Sequence, residues 1–525
     1  MKKLFLLSLL ITLSTLLFAQ DNLSALIPMP NKITEGKGKV LTLNNQSVIN
    51  ADNGLTFVAN TLQKIVKERM NLQLAVNNSN AKGAIRLKLD SSIKGKETYI
   101  INATSTGVTI SGSTVEGVLH GVMTFDQLLL GDSYLSRHHE ISPVYIEDSP
   151  RFERRALMLD PARHFLPLKD VKLYIDQMMK YKFNVLQLHL TDDQGWRVEI
   201  KGREKLTETG PFYTQDELKD LVKYAEERGI EIVPELDIPG HTVAFLHAYP
   251  ELGCTSNDTI PKVLGKTFDM MVCAAVPEVY TVYKDILTQV CAIFPSSYIH
   301  LGGDEAAIAN NWAKCERCQA LMKEKGYTNA SQLMIPFFEK MLQYVRDAGK
   351  TPILWCEPNN IYPPADDYLF PYPKDVQLVS WRAGLTPTCI KLTQKSGNKL
   401  LLAPGEYAYL DYPQLKGDLP EFNNWGMPIT TLRDSYKFDP GYGMTFSDQS
   451  QIVGIMGTLW GEAMLDINRV FYMTFPRAFA LTEAGWTQMS NRSWSSFKSR
   501  VYPNLTNLMQ HGISVRAPFE IANEE

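Results

Sequence analysis

A chain of 525 residues is longer than one ordinary domain and sets an expectation of roughly two to four. With 44% hydrophobic residues, 21% charged residues and a net charge of −4, it has the composition of a soluble globular protein. It carries neither the basic field expected of a nucleic-acid binder nor the acidic block of a solvating tail.

Lys2-Lys3, the apolar run Leu4–Phe18 and the small residue Ala19 form a charged, apolar and cleavable series too short for a comfortable membrane span. Residues 1–19 are therefore expected to be a secretory signal, the alternative being an uncleaved anchor. No Cys follows the run, which argues against a lipid-modified N-terminus. The expected mature protein is exported, periplasmic or extracellular, with no membrane span.

Residues 20–148 alternate short β-rich runs, Ala84–Leu89, Glu97–Asn102 and Gly107–Ser111, with the helix-like segments Leu55–Met70 and Ser113–Leu130. This predicts an α+β domain without a catalytic cluster, ending between Pro143 and Pro150.

From residue 149 to 525 the pattern becomes a strict strand–helix alternation. The strand candidates are Arg155–Asp160, Asn184–Asp192, Glu231–Asp237, Ser297–Gly302, Thr351–Glu357, Val376–Trp381, Lys399–Pro404 and Gln451–Trp460. Amphipathic stretches such as Leu168–Tyr181, Gln215–Arg228, Val276–Phe294 and Gln332–Ala348 lie between them, and Ile467–Trp486 follows the last. Eight such units predict a (β/α)8 TIM barrel with a helical C-terminal end, whose chemistry collects at the strand C-termini. A doubly wound sheet is the competitor, but no G-x-G-x-x-G follows a strand.

Seven cysteines are an odd number for an exported chain. Cys254 and Cys273 bracket a Gly/Asn/Pro-containing loop and are expected to pair. Cys315 and Cys318 form a lone C-x-x-C; a zinc site needs a second pair, which the spacing does not supply, so a local disulfide or free thiols are expected there. Cys291, Cys356 and Cys389 sit in apolar runs and are read as core residues.

The predicted strand ends carry acids and indoles. They are Asp160 with Arg163-His164, then His189, Asp192, Asp193 and Trp196, then Asp237 and His241. Asp304-Glu305 follow, then Trp355 and Glu357, Trp381, Glu406 with Tyr409 and Asp411, and finally Trp460 and Glu462. Buried ion pairs account for one or two such ends, not for nearly all of them. Indole faces pack on the C–H faces of pyranose rings, and carboxylates and Arg bond vicinal hydroxyls, so the pattern describes a carbohydrate site. No metalloprotease, serine-hydrolase or Walker motif competes for the chemistry, and neither cofactor nor metal is expected.

Several motifs resemble the β-N-acetylhexosaminidases of glycoside hydrolase family twenty. They are H-L-G-G-D-E at His300–Glu305, R-A-L-M-L-D-P-A-R-H-F at Arg155–Phe165 and H-L-T-D-D-Q-G-W-R at His189–Arg197. D-I-P-G-H at Asp237–His241, Y-L-D at Tyr409–Asp411 and L-W-G-E at Leu459–Glu462 fit as well, and I-P-M-P-N at Ile27–Asn31 resembles the domain preceding this family's barrel.

The resemblance implies an exo-acting retaining hydrolase of terminal β-linked N-acetylhexosamine. Glu305 would be the general acid, with a raised pKa, and Asp304 would orient the acetamido group. Arg155 and Glu462 would bind ring hydroxyls, and Asp411 the outer ones. Trp355, Trp381 and Trp460 would wall the pocket, Tyr409 would bond the acetamido carbonyl, and His241 with Asp192 or Asp237 would back the acid. Trp425 would platform the next sugar.

Retaining glycosidases ordinarily place an acid and a nucleophile about 5–5.5 Å apart, whereas side chains of sequential residues start in divergent directions. Asp304 and Glu305 therefore suit a mechanism in which the substrate's acetamido oxygen is the nucleophile. The alternatives are a conventional glycosidase with Glu406 as nucleophile and a lectin-like barrel without turnover. A missing acid at 305 would mark the lectin, and Glu305 is present.

Overall fold

The computed structural model describes residues 23–37, 39–77, 85–133, 140–208, 210–254, 270–357, 370–418, 426–444 and 449–522. The expected signal segment and Trp425 lie outside them. Among the described residues no helix is long and apolar enough to cross a membrane. The chain divides into two units.

The first unit comprises the chain up to Arg151, Lys180–Lys182, and everything from Trp486 onward. Its strands are β1 (Lys32–Glu35), β2 (Val48–Ala51), β3 (Ala75–Asn77), β4 (Ile85–Leu89), β5 (Tyr99–Thr104), β6 (Gly107–Gly112) and β7 (Val144–Asp148). They form one mixed sheet in the order β1-β7-β5-β6-β4-β2-β3. Alternation along β5 buries Tyr99, Ile101 and Ala103 on one face, the two-residue period of a half-covered strand. Helices α1 (Thr56–Met70) and α2 (Val115–Ser133) cover that sheet. The α1 stripe of Val58, Leu62, Ile65 and Val66 has helical spacing, and Asn71 ends the helix in the left-handed region with its N–H on Lys67 O.

The barrel was expected to run to the C-terminus, but the helix Trp494–Gln510 belongs to this first unit. Trp486 explains the grouping: its indole N–H donates to Asp148 at 2.8 Å, and Tyr99 OH donates to the same carboxylate at 2.6 Å. Lys182, fully buried, donates to Tyr99 OH at 3.1 Å, so the charge and the hydroxyl are satisfied inside the unit.

The second unit is a closed eight-stranded barrel. Its strands are β8 (Arg154–Leu159), β9 (Val185–His189), β10 (Glu231–Glu235), β11 (Tyr298–His300), β12 (Thr351–Trp355), β13 (Gln377–Ser380), β14 (Leu400–Leu402) and β15 (Ile452–Gly457). Neighbours pair in parallel, and β15 closes on β8 with Arg155 opposite Ile455. The strands are therefore covered on both faces: every residue of β8, β9, β13 and β14 is buried. Ala156, Met158, Val185, Val233, Ile353, Val379, Leu401 and Met456 fill the interior. Amphipathic helices follow the strands, among them α3 (Leu168–Lys180), α4 (Gln215–Glu226), α5 (Pro277–Ile293), α6 (Glu316–Lys325) and α7 (Met334–Asp347). A capping box of Thr214 and Glu217 starts α4.

Candidate active site

The chain leaves β11 through Gly302 and Gly303, both at positive φ (65° and 97°). A Cβ on Gly302 would stand 1.7 Å from Asp237 Oδ1, so only glycine fits this approach. Gly303 N–H donates to the same oxygen at 3.2 Å. The turn delivers Asp304 and Glu305 to the C-terminal mouth of the barrel, where they line a cavity of about 750 Å3.

Arg163, His241, Trp381, Arg382, Tyr409, Asp411, Tyr412, Met427, Trp460 and Glu462 line it with them. The indole walls are continuous below the lining. Trp355 lies behind it, with its ring centroid 5.8 Å from Trp460 and 6.5 Å from Trp381. Trp355 therefore supports the wall from beneath, its indole N–H donating to the buried Glu235 at 2.8 Å.

One arginine requires a correction. Arg155, expected to bind sugar hydroxyls, sits at the start of β8 and donates Nη1 to Phe152 O (2.9 Å) and Glu153 O (3.3 Å). At about 3.3 Å per residue it lies roughly 13 Å from the strand's far end, so it belongs to the base of the barrel. Arg163, just past that end, occupies the cavity. Its guanidinium meets Asp160 at 2.7 Å, Asp192 at 3.0 Å and Glu462 at 3.5 Å, with its carbon 5.0 Å from the Trp460 ring centre. Asp160 also accepts Gly461 N–H at 2.8 Å, which brings the Glu462 turn beside Arg163.

A buried polar chain runs behind the acids. His189 links Glu235 (2.9 Å) to Asp192 (2.7 Å), and Asp192 faces Nδ1 of His241 at 3.3 Å. Nε2 of His241 points at Glu305 (3.6 Å) and Asp304 (3.9 Å). Burial opposes a charge on His241, yet Asp192 and Glu305 hold its pKa well above the ordinary imidazole value. Asp192 is held well below the usual carboxylate range, the Arg163 and His241 cations outweighing its burial.

The two catalytic candidates are pushed apart. Burial, with the neighbouring Glu305 and Glu235 charges, raises Asp304 to about 6 against the pull of His241. Glu305 was expected to be raised; burial does push it up, but His241 and Arg382 together leave it below the ordinary value. Its side chain keeps 33% of its exposure, and the Arg382 guanidinium stands 3.9 Å away while engaging Glu357 at 2.9 Å. Burial nonetheless lifts Glu357 to about 7.

Sequence reasoning passed over Arg382, Glu235 and the part played by Arg163. All three lie at or just beyond strand ends, in W-R, P-E-L-D and P-A-R-H, which is the signal that could have found them. Among the described residues, Asp304 Oδ1, Asp411 Oδ1 and Trp381 Nε1 are three of the buried polar atoms around this cavity that have no hydrogen-bond partner. A buried polar atom left unpaired costs on the order of 1–3 kcal/mol, so three around one cavity describe a site built for a polar ligand.

Comparison with known proteins decides which one. The profile of glycosyl hydrolase family 20, catalytic domain, matches residues 152–489, and that of the family's domain 2 matches residues 23–149. The chain belongs to glycosyl hydrolase family 20. It is 36% identical to a β-hexosaminidase of Akkermansia muciniphila over 79% of this chain and 85% of that protein. Among solved structures it resembles the exo-β-N-acetylglucosaminidase of Vibrio harveyi in complex with N-acetylglucosamine (TM-score 0.83, 29% identity, 95% of this chain, 79% of that one). The N-acetyl-β-hexosaminidase of Streptomyces plicatus is comparable (TM-score 0.79, 28% identity, 95% of this chain, 97% of that one). As a family 20 enzyme the chain is an exo-acting β-N-acetylhexosaminidase of the substrate-assisted, retaining type.

Proposed function

We propose that Glu305 is the general acid and base of this hydrolysis and that Asp304 holds the substrate's 2-acetamido group, on a terminal N-acetylhexosamine such as N-acetylglucosamine. The observation that carries this is the pairing of a buried carboxylate having one unpartnered oxygen, Asp304, with the one-third-exposed Glu305 on the same rim.

Glu406, the rival nucleophile, does not line the cavity; its carboxylate accepts Gly384 N–H at 3.3 Å. The nucleophile is therefore the acetamido oxygen. It attacks the anomeric carbon while Glu305 protonates the departing glycosidic oxygen, and Asp304 accepts the amide N–H and stabilises the positive charge of the oxazolinium-like intermediate. Glu305, now ionised, takes a proton from the water that opens this ring, and two displacements at one carbon give retention.

Arg163 and Glu462 bond the ring hydroxyls, Asp411 those at the outer edge, and Tyr409 the acetamido carbonyl. Trp381 and Trp460 clasp the ring faces. Trp425 is assigned the platform for the next sugar on resemblance alone. Export to the periplasm or exterior completes the reading, supported by Lys2-Lys3, Leu4–Phe18 and Ala19; N-terminal sequencing of secreted protein beginning near Gln20 tests it.

Chromogenic N-acetylglucosaminide, N-acetylgalactosaminide and glucoside substrates test the mechanism. Turnover of one or both acetamido sugars without turnover of the glucoside is expected. A covalent adduct on Glu406 after treatment with a slow 2-fluoro sugar would sink it.

A further inference from the structure

Four sulfur atoms meet in the barrel unit, apart from the sugar cavity. Cys273 Sγ lies 3.5 Å from Cys318 Sγ and 3.9 Å from Cys315 Sγ, and Cys254 Sγ lies 3.8 Å from Cys318 Sγ. All four sulfurs fall within 4.8 Å of one another. The expected Cys254–Cys273 disulfide is not formed; all seven cysteines of the chain are free thiols.

The fold brings the four together from three places. Gly253 and Val272 form an isolated antiparallel bridge, and Cys273 N–H donates to Leu252 O at 2.8 Å, so Cys254 and Cys273 flank that bridge as diagonal neighbours. Cys315 is the N-cap of α6 and Cys318 lies in its first turn. Trp312 anchors this approach by donating its indole N–H to Val272 O at 2.9 Å. Arg317, between the two helix cysteines, donates to Gly253 O and to Glu251 O.

The distances discriminate between fates of these sulfurs. A disulfide needs about 2.05 Å. Four sulfurs at about 2.3 Å from a tetrahedral zinc ion stand about 3.8 Å from one another, and the three separations above bracket that edge. The surroundings suit the charge as well. Four thiolates around Zn2+ carry a net charge of minus two, and the α6 N-terminus and the Arg317 guanidinium lie against them. Three of the four are buried, as a closed site requires.

We propose that Cys254, Cys273, Cys315 and Cys318 form a structural zinc site. Each thiol releases its proton when the ion binds, all four positions are filled by protein, and no coordination position remains for catalysis. The site clasps the segment that follows His241 to the segment that follows Glu305, and so holds the imidazole opposite the acid.

The test is the metal content and thiol state of the full-length enzyme, produced with zinc in the medium and purified without chelator. About one zinc per chain is expected, with all seven thiols reactive once the protein is denatured and the metal removed. Replacing the metal with Co2+ should give the intense near-ultraviolet thiolate-to-cobalt absorption of a tetrahedral sulfur site. The double variant Cys315→Ser/Cys318→Ser should lose the zinc; should it fail to fold, the cobalt spectrum of the unaltered enzyme decides. Absence of zinc overturns the proposal, whether the thiols prove free or an intact mass lighter by hydrogen pairs shows disulfides. So does zinc retained by the double variant, or cobalt bound without the sulfur band.

Discussion

Glu305 Oε2 stands 3.6 Å from Nε2 of His241, the imidazole whose opposite nitrogen faces Asp192 at 3.3 Å. The proposed acid thus faces an imidazole whose pKa a buried carboxylate holds above the ordinary value. The His241 and Arg382 charges leave the Glu305 pKa low, while Asp304 next to it is raised to about 6.

A pH profile follows from that inversion. In the proposed roles, productive chemistry needs the proton on Glu305 and the charge on Asp304, so the pair must hold one proton between them, and its macroscopic pKa values belong to the pair. Above about 6 the second proton leaves. We expect kcat/KM to fall as pH rises through that region and to fall again in acid, where both carboxyls are protonated. Asp304→Asn removes a neighbouring negative charge and should shift the alkaline limb to lower pH. A profile of kcat/KM that stays level far into the alkaline range would refute the shared proton.

Glu305→Gln removes the proton donor without changing the side chain's size. Hydrolysis of sugars with poor leaving groups should drop by about 10²–10⁴-fold. An activated phenolate needs little protonation, so its first step should drop much less, a contrast that burst kinetics would resolve. Equal losses for both leaving groups would mean that Glu305 serves binding rather than proton transfer.

Asp304→Asn should cost on the order of 10²–10³-fold in kcat on acetamido substrates, the loss found when a group aimed at developing charge is removed. Glu406→Gln should change kcat by no more than a few-fold, since that carboxylate is occupied by Gly384 N–H. Reversal of this order in a steady-state comparison would favour the conventional nucleophile.

The two arginines of the first barrel strand and its following turn should behave oppositely. Arg163→Lys exchanges a forked contact with Asp160, Asp192 and Glu462 for a point charge, and should lower kcat/KM by roughly 10–10²-fold with a raised KM. Arg155→Lys leaves Phe152 O and Glu153 O poorly bonded at the barrel base and should cost about 1–3 kcal/mol of stability while the folded enzyme keeps its kcat/KM. Thermal unfolding and kinetics on both variants distinguish the roles; loss of KM in Arg155→Lys with unchanged stability would restore Arg155 to the site.

Gly302→Ala tests the turn. Its Cβ would meet Asp237 Oδ1 at 1.7 Å in a backbone conformation with φ of 65°. We expect misplacement of Asp304 and Glu305, seen as loss of activity together with a lowered unfolding temperature. An active variant of unchanged stability would show the turn to be tolerant.

What the sequence determined by itself is local and repeated. A two-residue or 3.6-residue apolar period reports which segments are strands and helices, and eight alternating units leave few ways to close other than a barrel. Because barrel chemistry gathers at strand C-termini, reading the residues there named Asp304, Glu305, His241, Trp381, Asp411, Trp460 and Glu462, all of which the fold brings together at one end. Tertiary structure decided what local pattern does not encode. Which of Arg155 and Arg163 reaches the cavity depends on strand direction and rise, since the same six-residue strand carries one to the base and leaves the other just past the rim. The helix Trp494–Gln510 looks like any amphipathic helix, and only its packing assigns it to the first unit. The lone C-x-x-C at Cys315 and Cys318 has no second pair in spacing because that pair, Cys254 and Cys273, is assembled by a bridge between Gly253 and Val272. Periodicity records the surroundings of a residue's neighbours in the chain; a contact between distant segments exists only once the chain has closed the loops between them.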